Sequence, residues 1–421
     1  MNQPVAIIGG VRLPFCKIGT GYVDYSGVEL MSETVKSIVD NFALKGERLG
    51  EVALGTVLQH PSIWNFAREA MLRSGLAPET PAVTVSRACA TSLDAAFVVA
   101  QKIASGHIEA GIAGGCESMS GVPLYVPQKL ARRFVKMQGA RSMGDRFKIW
   151  SSLSFRELRV QPPPAPEPST GLLMGEHCEK MAQEWEISRA DQDALALASH
   201  KNGVAAYERG FYRDLVKPFA GIERDNNLRK ETSLEKLAKL KPAFEKSEKG
   251  TLTAGNSSPL TDGAACVLLA SEKWAKERGL PVLAYFRDCE SAAIDIAREG
   301  LLMAPAYAVP RMLKRNQLKL QDFDFYEIHE AFSAQVLCTL KAWESEAFFR
   351  DRVKMPGPLG SIDRAKLNVA GGSVALGHPF GATGARVLCT ISKLLSEKGK
   401  GRGLVSVCTG GGMGTTAIVE K

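Results

Sequence analysis

The chain has 421 residues, 45% of them hydrophobic and 23% charged, which is ordinary globular usage and excludes a disordered, collagenous or coiled-coil protein. The formal net charge is +8, and no run of about 18 apolar residues offers a membrane-spanning helix. Nine cysteines, odd in number and never spaced as CxxC, exclude a disulfide framework and a zinc site, and with no signal-like opening in MNQPVAIIGG a cytoplasmic location is expected.

Residues 3–10 (QPVAIIGG) read as a buried strand closed by glycines. From Tyr25 to Phe42 the apolar positions Val28, Met31, Val35 and Ile38 recur at helical spacing, and a strand-like stretch follows from Glu51 to Gln59. The pattern repeats with a strand over Ala82–Ser86, a helix over Thr91–Ser105 and a strand over Ala110–Gly114. An α/β body with a parallel or mixed sheet covered by helices is therefore predicted.

Residues 121–249 break that rhythm. Gly121 to Thr170 carries nine Lys/Arg against three Asp/Glu, with Phe134, Phe147, Ile149, Trp150, Leu153 and Phe155 interleaved and a proline-rich run from Gln161 to Pro168. Amphipathic helical segments are expected here too. A long excursion from a compact body more often carries function than merely connects. Its charge suits a phosphorylated ligand, an anionic membrane over residues 121–160, or a partner subunit; a solvated flap is the bland alternative. Nucleic-acid binding lacks any recognisable module. The alternation resumes near Thr251, with strands expected at Ala264–Ala270, Val282–Asp288, Phe323–His329, Lys366–Val369, Gly403–Val407 and Thr415–Val419. The expected division is a first half from 1–120 and 250–274, an inserted lid from 121–249, and a second half from 275–421.

Four segments hold residues suited to chemistry. Cys89, in SRACATS, falls after a strand and before a long helix, where a helix N-terminus favours a thiolate and Ala88 and Ala90 leave room for a substrate. Burial as a small hydrophobe is the alternative, since most free cysteines are that. His378 stands among glycines in AGGSVALGHPFGATGAR, where backbone can approach a ligand and an imidazole with a near-neutral pKa can take a thiol proton. Cys408 precedes TGGGMG, in which Gly410, Gly411 and Gly412 can turn N–H groups into an anion nest or oxyanion hole. His329 and Glu330, in EIHEAFSAQ, suit water positioning or oxyanion stabilisation. Metal binding is not expected, because Ser333 stands where HExxH would need its second histidine.

Taken in order, GGVRLPF, the Cys89 segment, AGGCESMS (113–120), GTLTAGNSSPLTDGAA (250–265), HEAF (329–332), GHPFGATGAR (377–386) and CTGGGMG (408–414) resemble the signatures of the thiolase family over nearly the whole chain. The resemblance implies two similar βαβαβαββ halves in a layered αβαβα arrangement, with an inserted loop domain covering the CoA site. It implies a ping-pong reaction in which Cys89 takes the acyl group, His378 activates it and Cys408 moves the proton at the substrate α-carbon. One oxyanion hole would combine His378 with a water held by His329; the other, the backbone N–H groups of Cys89 and Gly410. Ser258, Asn256 and Met174 match positions near the pantetheine arm and acyl group. No cofactor is implied, CoA and acyl-CoA being substrates, and a homodimer or homotetramer is expected.

His329 in HEAF, where short-chain relatives carry Asn, and GLLMAPAYAVPRML (300–313) look like the long-chain branch. That branch includes thiolase subunits of fatty-acid oxidation complexes, which have a hydratase/dehydrogenase partner. The expected reaction is thus thiolytic cleavage of 3-ketoacyl-CoA in β-oxidation. A biosynthetic acetoacetyl-CoA thiolase, a condensing enzyme related to ketoacyl synthases, and a non-catalytic acyl-CoA or lipid-binding protein are the alternatives. A synthase would carry His or Asn where this chain has Cys408.

Overall fold

The computed structural model describes residues 3–154, 159–163 and 165–421. Its strands are β1 (Val5–Arg12), β2 (Cys16–Lys17), β3 (Glu51–Gly55), β4 (Ala82–Val85), β5 (Ala110–Glu117), β6 (Thr261–Ser271), β7 (Ala284–Ala293), β8 (Phe325–Ile328), β9 (Arg402–Thr409) and β10 (Met413–Glu420). They form one mixed sheet in the order β4-β3-β5-β6-β1-β7-β10-β9-β8, with β2 paired to β6. Strands β1, β3, β5 and β6 are buried at every residue. Cover on both faces is why they read as apolar runs rather than alternating ones.

The pairing repeats itself. In the first half β5 is parallel to β3 and antiparallel to β6, which is antiparallel to β1. In the second half β9 is parallel to β8 and antiparallel to β10, which is antiparallel to β7. The halves meet where β1 lies antiparallel to β7, pairing Ala6 with Tyr285 and Ile7 with Ala284. The helices Thr91–Ala104 and Thr383–Lys398 pack on each other and against strands of both halves. Outside them, Gly27–Asn41 covers β1, β5 and β6, and Pro305–Asn316 covers β7, β9 and β10. The layers run helix, sheet, helix, sheet, helix, as the resemblance implied.

One expected strand is not formed. Where the first half has β4 beside β3, the second offers β8 only a single bridge from Tyr326 to Leu367, after a 3-10 turn at Arg364–Lys366. Asn368 explains it. With φ of +46° it leaves the strand region, and its side chain then takes the place of a backbone partner, accepting from Ile328 N and donating to Ile328 O, both at 2.9 Å.

The excursion between β5 and β6 starts with an outlying helix pair, Gln128–Gly139 and Met143–Ser151, and returns through Met174–Glu184 and Arg189–Glu208. Phe155 and Pro164 lie outside the described residues. A buried ion pair fastens the excursion to the body: Arg12, from GGVRLPF, donates to both carboxylate oxygens of Asp225 at 2.6 and 2.7 Å. Asp225 also accepts from Phe15 N at 2.7 Å and Tyr207 Oη at 2.8 Å, so its charge is fully hydrogen-bonded.

Candidate active site

Two helix N-termini converge on the site. Gly384 sets how closely: a Cβ there would lie 2.3 Å from Leu93 N, so only glycine lets the helix Thr383–Lys398 approach the helix Thr91–Ala104 this nearly. Cys89 stands in a 3-10 turn before the second of these, and His378 just ahead of the first. Their side chains meet, His378 Nε2 lying 3.1 Å from Cys89 Sγ.

The protonation of this pair can be read from its neighbours. His378 Nδ1 is 2.7 Å from Thr383 Oγ1, and that hydroxyl gives its only hydrogen to Pro379 O at 3.1 Å. Thr383 therefore accepts from Nδ1–H, and Nε2 carries the lone pair facing the thiol. Burial raises the Cys89 thiol to about 12, against the opposing N–H of Gly410, with the Glu117 carboxylate adding to the rise. Burial and then the positive charge of Arg386 lower His378 to about 3. The helix N-terminus does not, after all, make Cys89 a resting thiolate, and His378 is not near neutral. Desolvation outweighs both expectations, and the resting pair is neutral thiol and neutral imidazole.

The other expected residues fall around this pair unequally. His329 follows β8, and its ring lies 4.1 Å from that of His378, centroid to centroid, tilted by 44°; burial, then His378 and Arg386, hold it well below its ordinary pKa. Cys408 lies near the end of β9, its thiol pushed well up by burial and by the charge Cys89 can carry, while the Ala331 N–H points to it. The backbone N–H groups of Gly410 and of Cys89 favour the Cys89 thiolate, against the larger effect of burial. Met174 caps the same spot, since a Cβ on Gly410 would sit 3.1 Å from its methyl. The glycine nest already holds a carboxylate: Gly411 N donates to Glu167 of the insertion at 3.1 Å. Ser258 Oγ donates to Ala331 O at 2.8 Å, which ties its loop to HEAF.

Two residues of these segments are engaged by the protein itself. Asn256 is fully buried, its amide accepting from Thr253 N at 2.7 Å and donating to Asp193 at 2.9 Å and Thr251 O at 3.2 Å, which braces the turn. Glu330 points away from His329, to Ser199, Asn368 and Val374 N. Thr383, Ser373 and Arg386, which support the two imidazoles, were not singled out in the sequence. They lie within the glycine-rich His378 segment, but only tertiary contacts show which ring each one serves.

Chemically, a thiol in contact with an imidazole acceptor, with a second buried thiol in its electrostatic reach, is an arrangement suited to acyl transfer through a cysteine. Cys89 and ring nitrogens of His329 and His378 lie within 4.8 Å of one another, so these three could also hold a soft metal ion. Family models described as the thiolase N-terminal domain and the thiolase C-terminal domain match residues 5–273 and 280–421. The chain belongs to the thiolase family.

Among relatives, it is 42% identical to a 3-ketoacyl-CoA thiolase of Yersinia enterocolitica, over 99% of this chain and 96% of the relative. It is 43% identical to a 3-ketoacyl-CoA thiolase of Serratia proteamaculans, with the same coverage. Its fold is similar to the crystal structure of the Bacillus anthracis acetyl-CoA acetyltransferase (TM-score 0.83, 31% identity) and to that of a thiolase from Ascaris suum in complex with coenzyme A (TM-score 0.82, 28% identity), each comparison covering both chains completely.

Proposed function

We propose that this protein is a 3-ketoacyl-CoA thiolase acting in the degradative direction, and the observation that carries the reading is the 3.1 Å contact of His378 Nε2 with Cys89 Sγ, with Cys408 alongside. His378 takes the thiol proton as Cys89 sulfur adds to C3 of the 3-ketoacyl-CoA. The C2–C3 bond then breaks, Cys408 gives a proton to the departing C2 to form acetyl-CoA, and the acyl group stays on Cys89 as a thioester. The Cys408 thiolate takes the proton of an incoming CoA thiol, whose sulfur attacks the acyl carbon. Shortened acyl-CoA leaves, and the Cys89 thiolate recovers its proton from His378. The N–H groups of Gly410 and Cys89, which favour negative charge at Cys89, would serve an oxyanion on the Cys89-bound carbon.

Greater identity to the 3-ketoacyl-CoA thiolases than to the acetyl-CoA acetyltransferase, together with His329 in HEAF, favours long acyl chains. Loss of the magnesium-enolate absorbance of 3-ketohexadecanoyl-CoA and of acetoacetyl-CoA on adding CoA tests this. Loss with the long substrate, abolished in Cys89→Ser, is expected; preference for acetoacetyl-CoA overturns the chain-length reading, and no loss with either overturns the activity.

The outlying helix pair supports a peripheral membrane contact. Phe134, Met137, Met143, Phe147 and Trp150 line an open groove of about 580 Å³, with Met143 77% and Phe147 70% exposed and basic residues around them. Among the described residues no helix is long and apolar enough to cross a membrane, so contact would be interfacial. Flotation with phosphatidylserine vesicles, lost in Lys129→Glu/Lys136→Glu, is expected. Flotation unaffected by the charge reversal, or binding only to a hydratase/dehydrogenase subunit, sinks the membrane reading. The open side of edge strand β4, whose residues are all half-buried, supports a homodimer, testable as the mass in light scattering.

A further inference from the structure

The two imidazoles of the site face opposite demands. His378, as shown above, keeps a lone pair on Nε2. For His329 the logic reverses. Its Nδ1 lies 2.8 Å from Ser373 Oγ, and Arg386 Nη2 donates to that same oxygen, also at 2.8 Å. A guanidinium has no acceptor, so its bond uses one lone pair of the serine; Ser373 is fully buried and Nδ1 is the one acceptor its hydroxyl hydrogen has among the described residues, so the arrangement that satisfies that hydrogen gives it to Nδ1. The proton of a neutral His329 then sits on Nε2, a fully buried atom with no hydrogen-bond partner among the described residues.

Arg386 is itself fixed. It is fully buried and donates through Nη1 to Glu327 Oε2 at 3.1 Å, and Glu327 lies on β8 two residues before His329. Ring and guanidinium are thereby held to one strand and one helix, with Ser373 between them. A buried N–H without an acceptor is unfavourable, and here it leaves a donor free for a ligand atom beside His378.

We propose that Ser373, oriented by the Arg386–Glu327 pair, is a positioning residue that fixes His329 as an Nε2–H donor, so that the site offers an acceptor at His378 and a donor at His329. The donor serves the substrate carbonyl oxygen that gains negative charge, directly or through one water. That last step rests on the thiolase reading; the tautomer does not.

The test uses full-length protein labelled with 15N-histidine, which has only six histidines. Wild type should show His378 with its hydrogen on Nδ1 and His329 with its hydrogen on Nε2, assigned through loss of the His329 signals in His329→Asn. In Ser373→Ala, His329 should become a mixture of tautomers. Thiolysis kcat should fall by about tenfold to a hundredfold with KM little changed, the usual range for losing a group that orients a functional histidine. Alkylation of Cys89 by iodoacetamide should stay within about twofold of wild type, because Thr383 still sets His378. Ser373→Thr, which keeps the hydroxyl, should restore most of kcat.

A wild-type His329 with its hydrogen on Nδ1 overturns the proposal, even if Ser373→Ala fails to fold. So does a kcat unchanged in Ser373→Ala, or alkylation falling in step with kcat, which marks general structural damage. A protein with the expected tautomers but no thiolase activity instead refutes the functional reading and leaves the positioning claim standing.

Discussion

Replacing Thr383 by Val tests the protonation logic at its narrowest point. Valine has nearly the shape of threonine, and Thr383 is fully buried, so packing changes little while one hydroxyl disappears. His378 Nδ1–H then loses its acceptor at 2.7 Å. The ring has two courses. It can keep its tautomer and bury an unsatisfied N–H, at a cost of about 1–3 kcal/mol, or move its proton to Nε2, where it faces Cys89 and cannot accept the thiol hydrogen. Either way the reactive arrangement is raised by about 1–3 kcal/mol, which at about 1.4 kcal/mol per tenfold is a loss of roughly 5-fold to 150-fold. The assay is iodoacetamide alkylation of Cys89 beside kcat/KM for thiolysis, and both should fall together. That pattern differs from Ser373→Ala, where only kcat falls. Folded Thr383→Val with both rates within twofold of wild type would refute the tautomer assignment.

Three further outcomes follow from the same contacts. Because Cys89 is held up to about 12 and His378 down to about 3, alkylation should climb with pH through pH 10, with no plateau from a thiolate–imidazolium pair; a flat rate beginning below pH 7 contradicts the neutral pair. Gly384→Ala puts a Cβ 2.3 Å from Leu93 N and must separate the two central helices. It should cost about 1–3 kcal/mol in urea unfolding and, by parting Cys89 from His378, roughly a hundredfold in kcat/KM. Arg12→Ala leaves Asp225 buried without its partner, so a loss of about 3–5 kcal/mol is expected by the same measurement, and a loss below about 1 kcal/mol would show that the excursion is fastened elsewhere.

Cys89, His378 and Cys408 stood out in the sequence because each lies in a glycine-rich or small-residue turn, and the fold brings Cys89 and His378 into contact. What the sequence could not show is depth. Cys89 does head a helix, but its protonation depends on how much water surrounds the sulfur, and that is set by segments as remote in sequence as the His378 turn that touches it. Asn256 shows the same limit. It entered through the family resemblance alone, and only the fold shows that its amide closes a buried turn. The segment at 366–369 has strand-like residues, and one Asn with positive φ diverts it, something periodicity does not register.

The neutral resting state fits the reaction better than an ion pair would. A thiolate and an imidazolium in this buried site would need compensation for lost water that the described contacts do not supply, since Arg386 disfavours a charged imidazole and Glu117 a charged sulfur. The N–H groups of Gly410 and Cys89, and on our proposal that of His329, are instead fixed before any charge exists, and they have their largest effect on oxygens that become negative only as bonds change. Charge thus develops where donors already wait and water is scarce. This arrangement serves both directions of a reversible thioester exchange, because the protons that His378 and Cys408 take up or give away in one half-reaction are returned in the other.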